Sequence, residues 1–308
     1  MKYTFASLGY LESIGIRLGG AGLGNILFPW ATALVFAKNN NLQRIQTTWK
    51  NLKFGTFLRK ERDKRMYMDL FLETDGISGF KKFFLLNFSN NIMVFSGMDN
   101  LFEPFKSCQN FVKSELLKII NPYHISRAKE FNSNSIAIHI RMGDFINPYH
   151  IKRAKEFNGN SIAIHIRMGD FTNPINEKVL RNGDWNYRLP IKWYISLIEK
   201  IQKESDLPIF IFSDAEDCEL KEILAYDNCN RAYFGSAISD MLALSTCKVL
   251  VSSASTFSMW ASFLGQMPTI WFPGQLRQKL LLENSKFEGE VDYDDDLPSS
   301  IIKELKND

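Results

Sequence analysis

Residues 121–146, NPYHISRAKEFNSNSIAIHIRMGDFI, recur as residues 147–172, NPYHIKRAKEFNGNSIAIHIRMGDFT. The copies differ only at Ser126/Lys152, Ser133/Gly159 and Ile146/Thr172. A solenoid or array needs several units to bury a continuous core, and two do not suffice. The repeat therefore reads as one tandem duplication of a helix-plus-strand segment within a fold that needs it once. All four histidines of the chain, His124, His139, His150 and His165, fall inside it as two positions written twice. Four independent metal ligands are not available there, and no metal site is expected. The second copy is expected to supply the working strand. Extra residues ahead of that strand lengthen a link between domains at small entropic cost, whereas extra residues after it would crowd a cleft.

The rest of the chain supports a soluble enzyme-sized protein. Its 308 residues are enough for two ordinary domains. Its 37 basic against 34 acidic residues leave a net charge of +3, too small to point to nucleic acid. Cys108, Cys218, Cys229 and Cys247 show no paired spacing, so neither a zinc knuckle nor a redox motif is indicated. The first 24 residues carry Glu12 and Arg17 and no apolar run of signal-peptide length. The uncharged stretch between Lys248 and Arg277 contains five serines and two prolines, which suits a buried, polar-lined segment better than a membrane span. A cytoplasmic protein, working at the inner face of a membrane, is the expected setting.

Strand and helix patterns alternate as in an α/β protein. Strands are expected at Ser13–Leu18, Arg44–Trp49, Ser161–Arg167, Ile209–Phe212, Val249–Ser253 and Pro268–Phe272. Helices are expected at Asn25–Lys38, Trp193–Lys203, Asp217–Leu224, Ser239–Lys248 and Thr256–Leu264. The run RKERDKR at 59–65 reads as a solvated loop or helix face, and EGEVDYDDD at 288–296 as a surface tail.

Four segments could carry chemistry. GGAGLGN, Gly19–Asn25, lets the backbone turn sharply and approach an anion at a helix start, unless it is only a tight turn. It lacks the GxGxxG register of a dinucleotide site, which disfavours an oxidoreductase. HIRMGDF ends the repeated strand. His165 and Arg167, two apart, share a face, and the arginine fork suits a diphosphate. Asp170 could orient that arginine, accept a proton, or simply pair with it. IFIFSDAEDC delivers Ser213 and Asp214 to the same sheet edge, as a hydrogen-bond acceptor or a helix cap. VSSASTFSMW, Val251–Trp260, places hydroxyls and amides at another helix start, again a phosphate cradle or a cap.

In this order, the four segments resemble glycosyltransferase family 11, the α-1,2-fucosyltransferase group, within the wider α-1,2/α-1,6/O-fucosyltransferase superfamily. The resemblance spans roughly Ile14 to Pro273, and HxRxGD and STFSxW are its most specific elements. It implies a GT-B-like α/β fold with two Rossmann-like domains facing a cleft. Residues 1–132 would form the acceptor-side domain and 133–308 the GDP-sugar-binding domain. It implies inverting, metal-independent transfer of fucose from GDP-fucose to a glycan hydroxyl, in α-1,2 linkage on a surface polysaccharide precursor. That activity is a hexosyltransferase, a galactoside 2-α-L-fucosyltransferase. The catalytic residues it implies are Arg167, Asp170 and Asn25. Donor binding would fall to His165, Arg167, Asp214, Ser255, Thr256, Ser258, Gly22 and Gly24. The partners are then a nucleotide-sugar donor and a glycan acceptor, with peripheral membrane association, no nucleic acid and no cofactor beyond the donor.

The chain departs from the family pattern at four places. Met168 replaces a second arginine, Ala254 an asparagine, Met259 a tryptophan and Ala261 a glycine. These departures leave open a non-catalytic nucleotide-sugar-binding homologue, or a transferase using another sugar. Trp49, Phe54 and Arg59 are suggestive of the acceptor side, although aromatic residues there are more often core.

Overall fold

The computed structural model describes residues 2–9, 16–17, 21–50, 52–53, 67, 69–72, 76–129, 161–169 and 171–307. The chain divides into two compact units, Met1–Pro122 and Tyr123–Asp308. Both are α/β with parallel sheets.

In the first unit, β1 (Tyr3–Ala6) leads to a two-residue strand β2 (Ile16–Arg17) and then to helix α1 (Leu23–Asn39). Strands β3 (Gln43–Ile45) and β4 (Leu52–Lys53), helix α2 (Gly79–Phe88), strand β5 (Ile92–Phe95) and helix α3 (Gln109–Ile119) follow. β1 is the centre of a three-stranded parallel sheet ordered β3-β1-β5. α1 is apolar on nearly every side, and twelve of its seventeen residues are buried. A helix of that kind belongs in a core rather than at a surface. The expected acceptor-side residue Trp49 is also core: it is 6 % exposed and stacks 4.1 Å from the ring of Phe71. Phe54, Arg59 and the 59–65 run lie outside the described residues.

The second unit opens with α4 (Pro122–Lys129) and continues with β6 (Ile162–Ile166), α5 (Glu177–Arg181) and α6 (Ile191–Glu204). Next come β7 (Ile209–Ser213), α7 (Lys221–Leu224), β8 (Cys229–Ala232), α8 (Ala237–Leu244) and β9 (Val249–Val251). It closes with α9 (Thr256–Gly265), β10 (Thr269–Trp271), β11 (Glu288–Glu290) and α10 (Ser299–Lys306). The sheet is ordered β11-β10-β9-β6-β7-β8 and all its strand pairs are parallel. Read from β8, that is the 3-2-1-4-5-6 order of a doubly wound mononucleotide-binding sheet. Every residue of β6 is buried, as an apolar strand covered on both faces should be. α6 turns Trp193, Tyr194, Leu197, Ile198 and Ile201 to the core, and the Trp193 indole donates to the Val291 carbonyl at 2.8 Å.

The two compact units divide at 122/123, and α4 packs with the second. There His124 is buried, its Nδ1 lies 3.0 Å from Ser236 Oγ, and its carbonyl accepts from Ser239 Oγ. The acidic run at 288–296 is not a surface tail. Glu288–Glu290 pairs in register with Thr269–Trp271, and the buried Glu288 carboxylate accepts from the amides of Leu280 and Leu281.

Part of each copy of the repeat is described. The described helix, α4, comes from its first copy, and the strand in the sheet, β6, comes from its second. The stretch 248–277 forms a strand, a helix and a strand, and among the described residues no helix is long and apolar enough to cross a membrane. The four cysteines are unpaired, and burial pushes the thiols of Cys229 and Cys247 up to about 12.

Candidate functional site

The chain order of the strands reverses direction between β6 and β9, and in open α/β sheets that crevice, beyond the carboxyl ends of the strands, is where ligands bind. Two segments meet there: the end of β6 with the residues after it, His165–Gly169, and the turn from β9 into α9, Ser252–Ser258.

His165 is the last-but-one residue of β6, 6 % exposed, with Nδ1 only 2.6 Å from Ser253 Oγ and its ring stacked on Phe257 at 5.0 Å. Burial, and secondarily the Arg167 charge, push its pKa down to about 3 against a smaller opposing pull from Asp214. The imidazole is therefore neutral at physiological pH, and it orients groups rather than carrying charge. This has a stability consequence. Between pH ~6.5 and ~3 the unfolded chain binds a proton at this site that the folded chain refuses. Stability is intact above that window and falls as pH drops through it, by up to about 1.4 kcal/mol per pH unit. A urea-denaturation series over this range should show a shallower acid slope in His165→Asn. An unchanged slope would mean that His165 is protonated in the folded state.

Arg167 leaves the strand half-buried, and its Nη1 pairs with Asp214 Oδ2 at 2.5 Å. The other Asp214 oxygen accepts from the Met168 amide at 2.9 Å. Asp214 follows β7, the strand beside β6, so adjacent strand ends bring the pair together. The Arg–Asp pair that is described joins Arg167 to Asp214. Asp170, the other candidate, lies outside the described residues. Gly169 makes the arrangement possible: a Cβ there would stand 2.2 Å from Asp214 Oδ2.

Two arginines that sequence reasoning passed over hold this corner. Arg188 Nε donates to the carbonyls of Met168 and Phe171, and its Nη1 pairs with Glu219. Arg231 donates to the carbonyls of Ser213 and Ala215 and pairs with Asp217, fixing the loop that carries Asp214. Neither sits in a recognisable motif, so only the fold reveals their role.

The opposite wall is a serine network. Ser253 reaches Ser255 at 3.2 Å and Ser258 at 3.4 Å, while Ser252 and Ser258 are 2.9 Å apart. Ser258 is fully buried and donates to the Ser255 carbonyl, so it braces the turn from behind. Ser255 is the N-cap of α9, with no side-chain hydrogen bond to the helix, and half-buried Thr256 is the first helical residue. Ser253, which joins this wall to His165, was within a quoted motif but not among the expected site residues.

Gly22, Gly24 and Asn25 stand in the first unit. Gly22 is the N-cap of α1 at φ −64°, so it is not there to supply a positive φ, and a Cβ on it would meet nothing within 4 Å. Asn25 is half-buried in the first turn, and Pro29, lacking an N–H, can donate nothing to its carbonyl. Among the described residues, no three His, Cys, Asp or Glu side chains converge as a metal site.

The four departures from the family pattern acquire a physical reading. Met168, Met259 and Ala261 are buried, at 6 %, 1 % and 0 % exposure, and Met168 belongs to the core behind β6. They are packing positions. Ala254 is different: it holds φ +60°, the left-handed region that asparagine adopts at less cost than alanine. Ala254→Asn is expected to stabilise the fold by about 1 kcal/mol, read as a higher urea midpoint at unchanged slope. A lower midpoint would refute that reading.

Residues 151–278 match the family model for glycosyl transferase family 11. The match begins inside the second copy of the repeat and takes in β6, β7, β9, α9 and β10. Comparison with curated proteins finds no match. Among solved structures, the fucosyltransferase NodZ from Bradyrhizobium is 12 % identical, with a TM-score of 0.49 over 89 % of this chain and 96 % of that one. A NodZ α-1,6-fucosyltransferase soaked with GDP-fucose is 12 % identical, with a TM-score of 0.46 over 88 % and 94 %. POFUT1 in complex with GDP is 13 % identical, with a TM-score of 0.46 over 88 % and 98 %.

Proposed function

We propose that the crevice between β6 and β9 binds GDP-fucose and that the chain transfers its fucose to a hydroxyl of a glycan acceptor. The observation that carries this is the coincidence of three things at one switch point: a half-buried arginine, an uncapped helix start, and a family 11 match that spans both. The linkage proposed is α-1,2, on a surface polysaccharide precursor, with inversion at the sugar.

In this reading, Arg167 binds the diphosphate with its planar fork, and Asp214 holds it in place until the donor arrives. The amides at the start of α9, with Ser255 and Thr256, receive phosphate oxygens. Ser258, Ser252 and Ser253 brace that turn, and neutral His165 sets the orientation of Ser253. The acceptor oxygen attacks C1 of fucose as the bond from C1 to the phosphate oxygen breaks, and GDP departs with the electron pair. Arg167 offsets the charge that develops on it. The acceptor proton passes to a base, for which Asp170 is the proposed group. The leaving group is a good one, so positioning contributes more than base strength. In the first unit, Asn25 with Gly22 and Gly24 beside it are the residues proposed to serve the sugar or the acceptor.

The test is a donor screen. The full chain is incubated with GDP-fucose, GDP-mannose, UDP-galactose and UDP-glucose with and without a panel of galactosides, and released nucleotide and glycan product are measured. Release from GDP-fucose alone, raised by an acceptor, supports the reading. GDP binding without release from any donor would instead make the chain a nucleotide-sugar-binding homologue.

A further inference from the structure

Helix α2, Gly79–Phe88, has the sequence GFKKFFLLNF and buries none of its ten residues. Phe80, Phe83, Phe84 and Phe88 fall at i, i+3, i+4 and i+8, and so share one face. They are 81 %, 43 %, 55 % and 68 % exposed. Their rings meet one another, Phe80 with Phe83 at 6.4 Å and Phe84 with Phe88 at 5.2 Å. The opposite side of the helix is the one that holds it to the first unit. Lys82, Leu85 and Leu86 are half-buried there, and Lys82 Nζ donates to Thr48 Oγ1 at 2.7 Å and lies over the Phe5 ring. The aromatic face is thus directed away from its own unit.

Along the chain, the charge carried by the helix and its flanks has one sign. From Gly76 to Met98 the sequence contains no Asp or Glu and two lysines, Lys81 and Lys82. Lys81 is exposed beside the aromatic stripe. Lys2, also exposed, has its amide bonded to the Asn91 carbonyl, three residues beyond the end of the helix. Size separates the candidate occupants. Four such rings expose on the order of 500 Å². A stable dimer buries about 800 Å² per partner, so the patch is too small to hold two copies together. A ten-residue helix is about 15 Å long and cannot span a bilayer, but aromatic side chains on its outer face reach the depth at which interfacial helices bind.

We infer that α2 is a membrane-surface docking element: its four phenylalanines enter the headgroup boundary of an anionic bilayer while Lys81 and Lys2 meet the lipid phosphates. The inference is independent of the donor or acceptor used, because every observation behind it lies within the first unit.

Vesicle flotation of the full chain tests it. The vesicles are phosphatidylcholine alone, or equal parts of phosphatidylcholine and phosphatidylglycerol. The parent should float with the mixed vesicles and much less with the neutral ones. Phe80→Ser/Phe84→Ser should weaken binding roughly tenfold or more, and Lys81→Glu should weaken it mainly at low salt. Thermal unfolding and GDP binding of each variant serve as folding controls, since the donor residues proposed on β6, β7 and α9 belong to the second unit. A parent that stays in the aqueous layer with both vesicles overturns the inference, as does equal flotation of the double variant. A parent that sediments as a dimer, becomes monomeric in the double variant and ignores vesicles would overturn it in favour of a contact between copies.

Discussion

Arg167→Ala is expected to slow GDP release from GDP-fucose roughly a hundred- to a thousandfold, the usual consequence of removing one charged stabiliser of a leaving group. Two effects combine at this position. The variant loses the guanidinium that would face the diphosphate, and it leaves the Asp214 carboxylate, now paired only with the Met168 amide, beside the donor phosphates. A like charge at that distance repels the ligand. Arg167→Lys should retain part of the affinity through its charge, yet lose the planar fork that suits two phosphate oxygens. Asp214→Asn should keep the Met168 hydrogen bond while weakening the hold on the arginine, giving a smaller loss than Arg167→Ala. Initial-rate measurements of nucleotide release across the three variants check this ranking. Parent-like rates in Arg167→Ala would remove the arginine from the chemistry.

Glu288→Ala carries the largest expected stability loss. Glu288 is 8 % exposed and sits at the first position of edge strand β11, where its carboxylate accepts from two backbone amides of the connection from β10. Alanine would leave both amides buried without an acceptor, at roughly 1–3 kcal/mol each, or about 3 kcal/mol together. For a unit of this size that corresponds to a Tm lower by roughly 6–12 °C. Glu288→Gln keeps one acceptor oxygen and should lose much less. Calorimetric unfolding of the two variants decides the point, and an alanine variant melting within about a degree of the parent would show that the connection finds other partners.

The second unit was legible in the sequence to the extent that its apolar strands are short, β-branched and bounded by polar turns. Ile162–Ile166, Ile209–Ser213 and Thr269–Trp271 lie within a residue or so of where their patterns place them. The fold could not be read from acidic composition at 288–290, because one buried, hydrogen-bonded glutamate looks like any other acid in a string of them. The first unit was less legible. Tyr3–Ala6, the centre of its sheet, is four residues long and too short for a periodicity to register. α2 has the aromatic content of a core helix and none of its burial. At the site, His165, Arg167 and Asp214 were visible as strand-end residues, but pairing between the last two follows from β6 and β7 being neighbours in register. Arg188 and Arg231 act on carbonyls that only the folded loops assemble. The departures from the family pattern were visible as letters. That three of them are buried and the fourth holds a left-handed backbone became visible only in the fold.

The claim everything else depends on is that the second copy of the repeat supplies the donor site through β6 and Arg167. Calorimetric titration of GDP into the parent, Arg141→Ala and Arg167→Ala tests it most directly, because the two substitutions are the same change in the two copies. Arg141→Ala should bind GDP as the parent does, and Arg167→Ala about a hundredfold more weakly. Equal losses in the two variants, or a loss confined to Arg141→Ala, would contradict it.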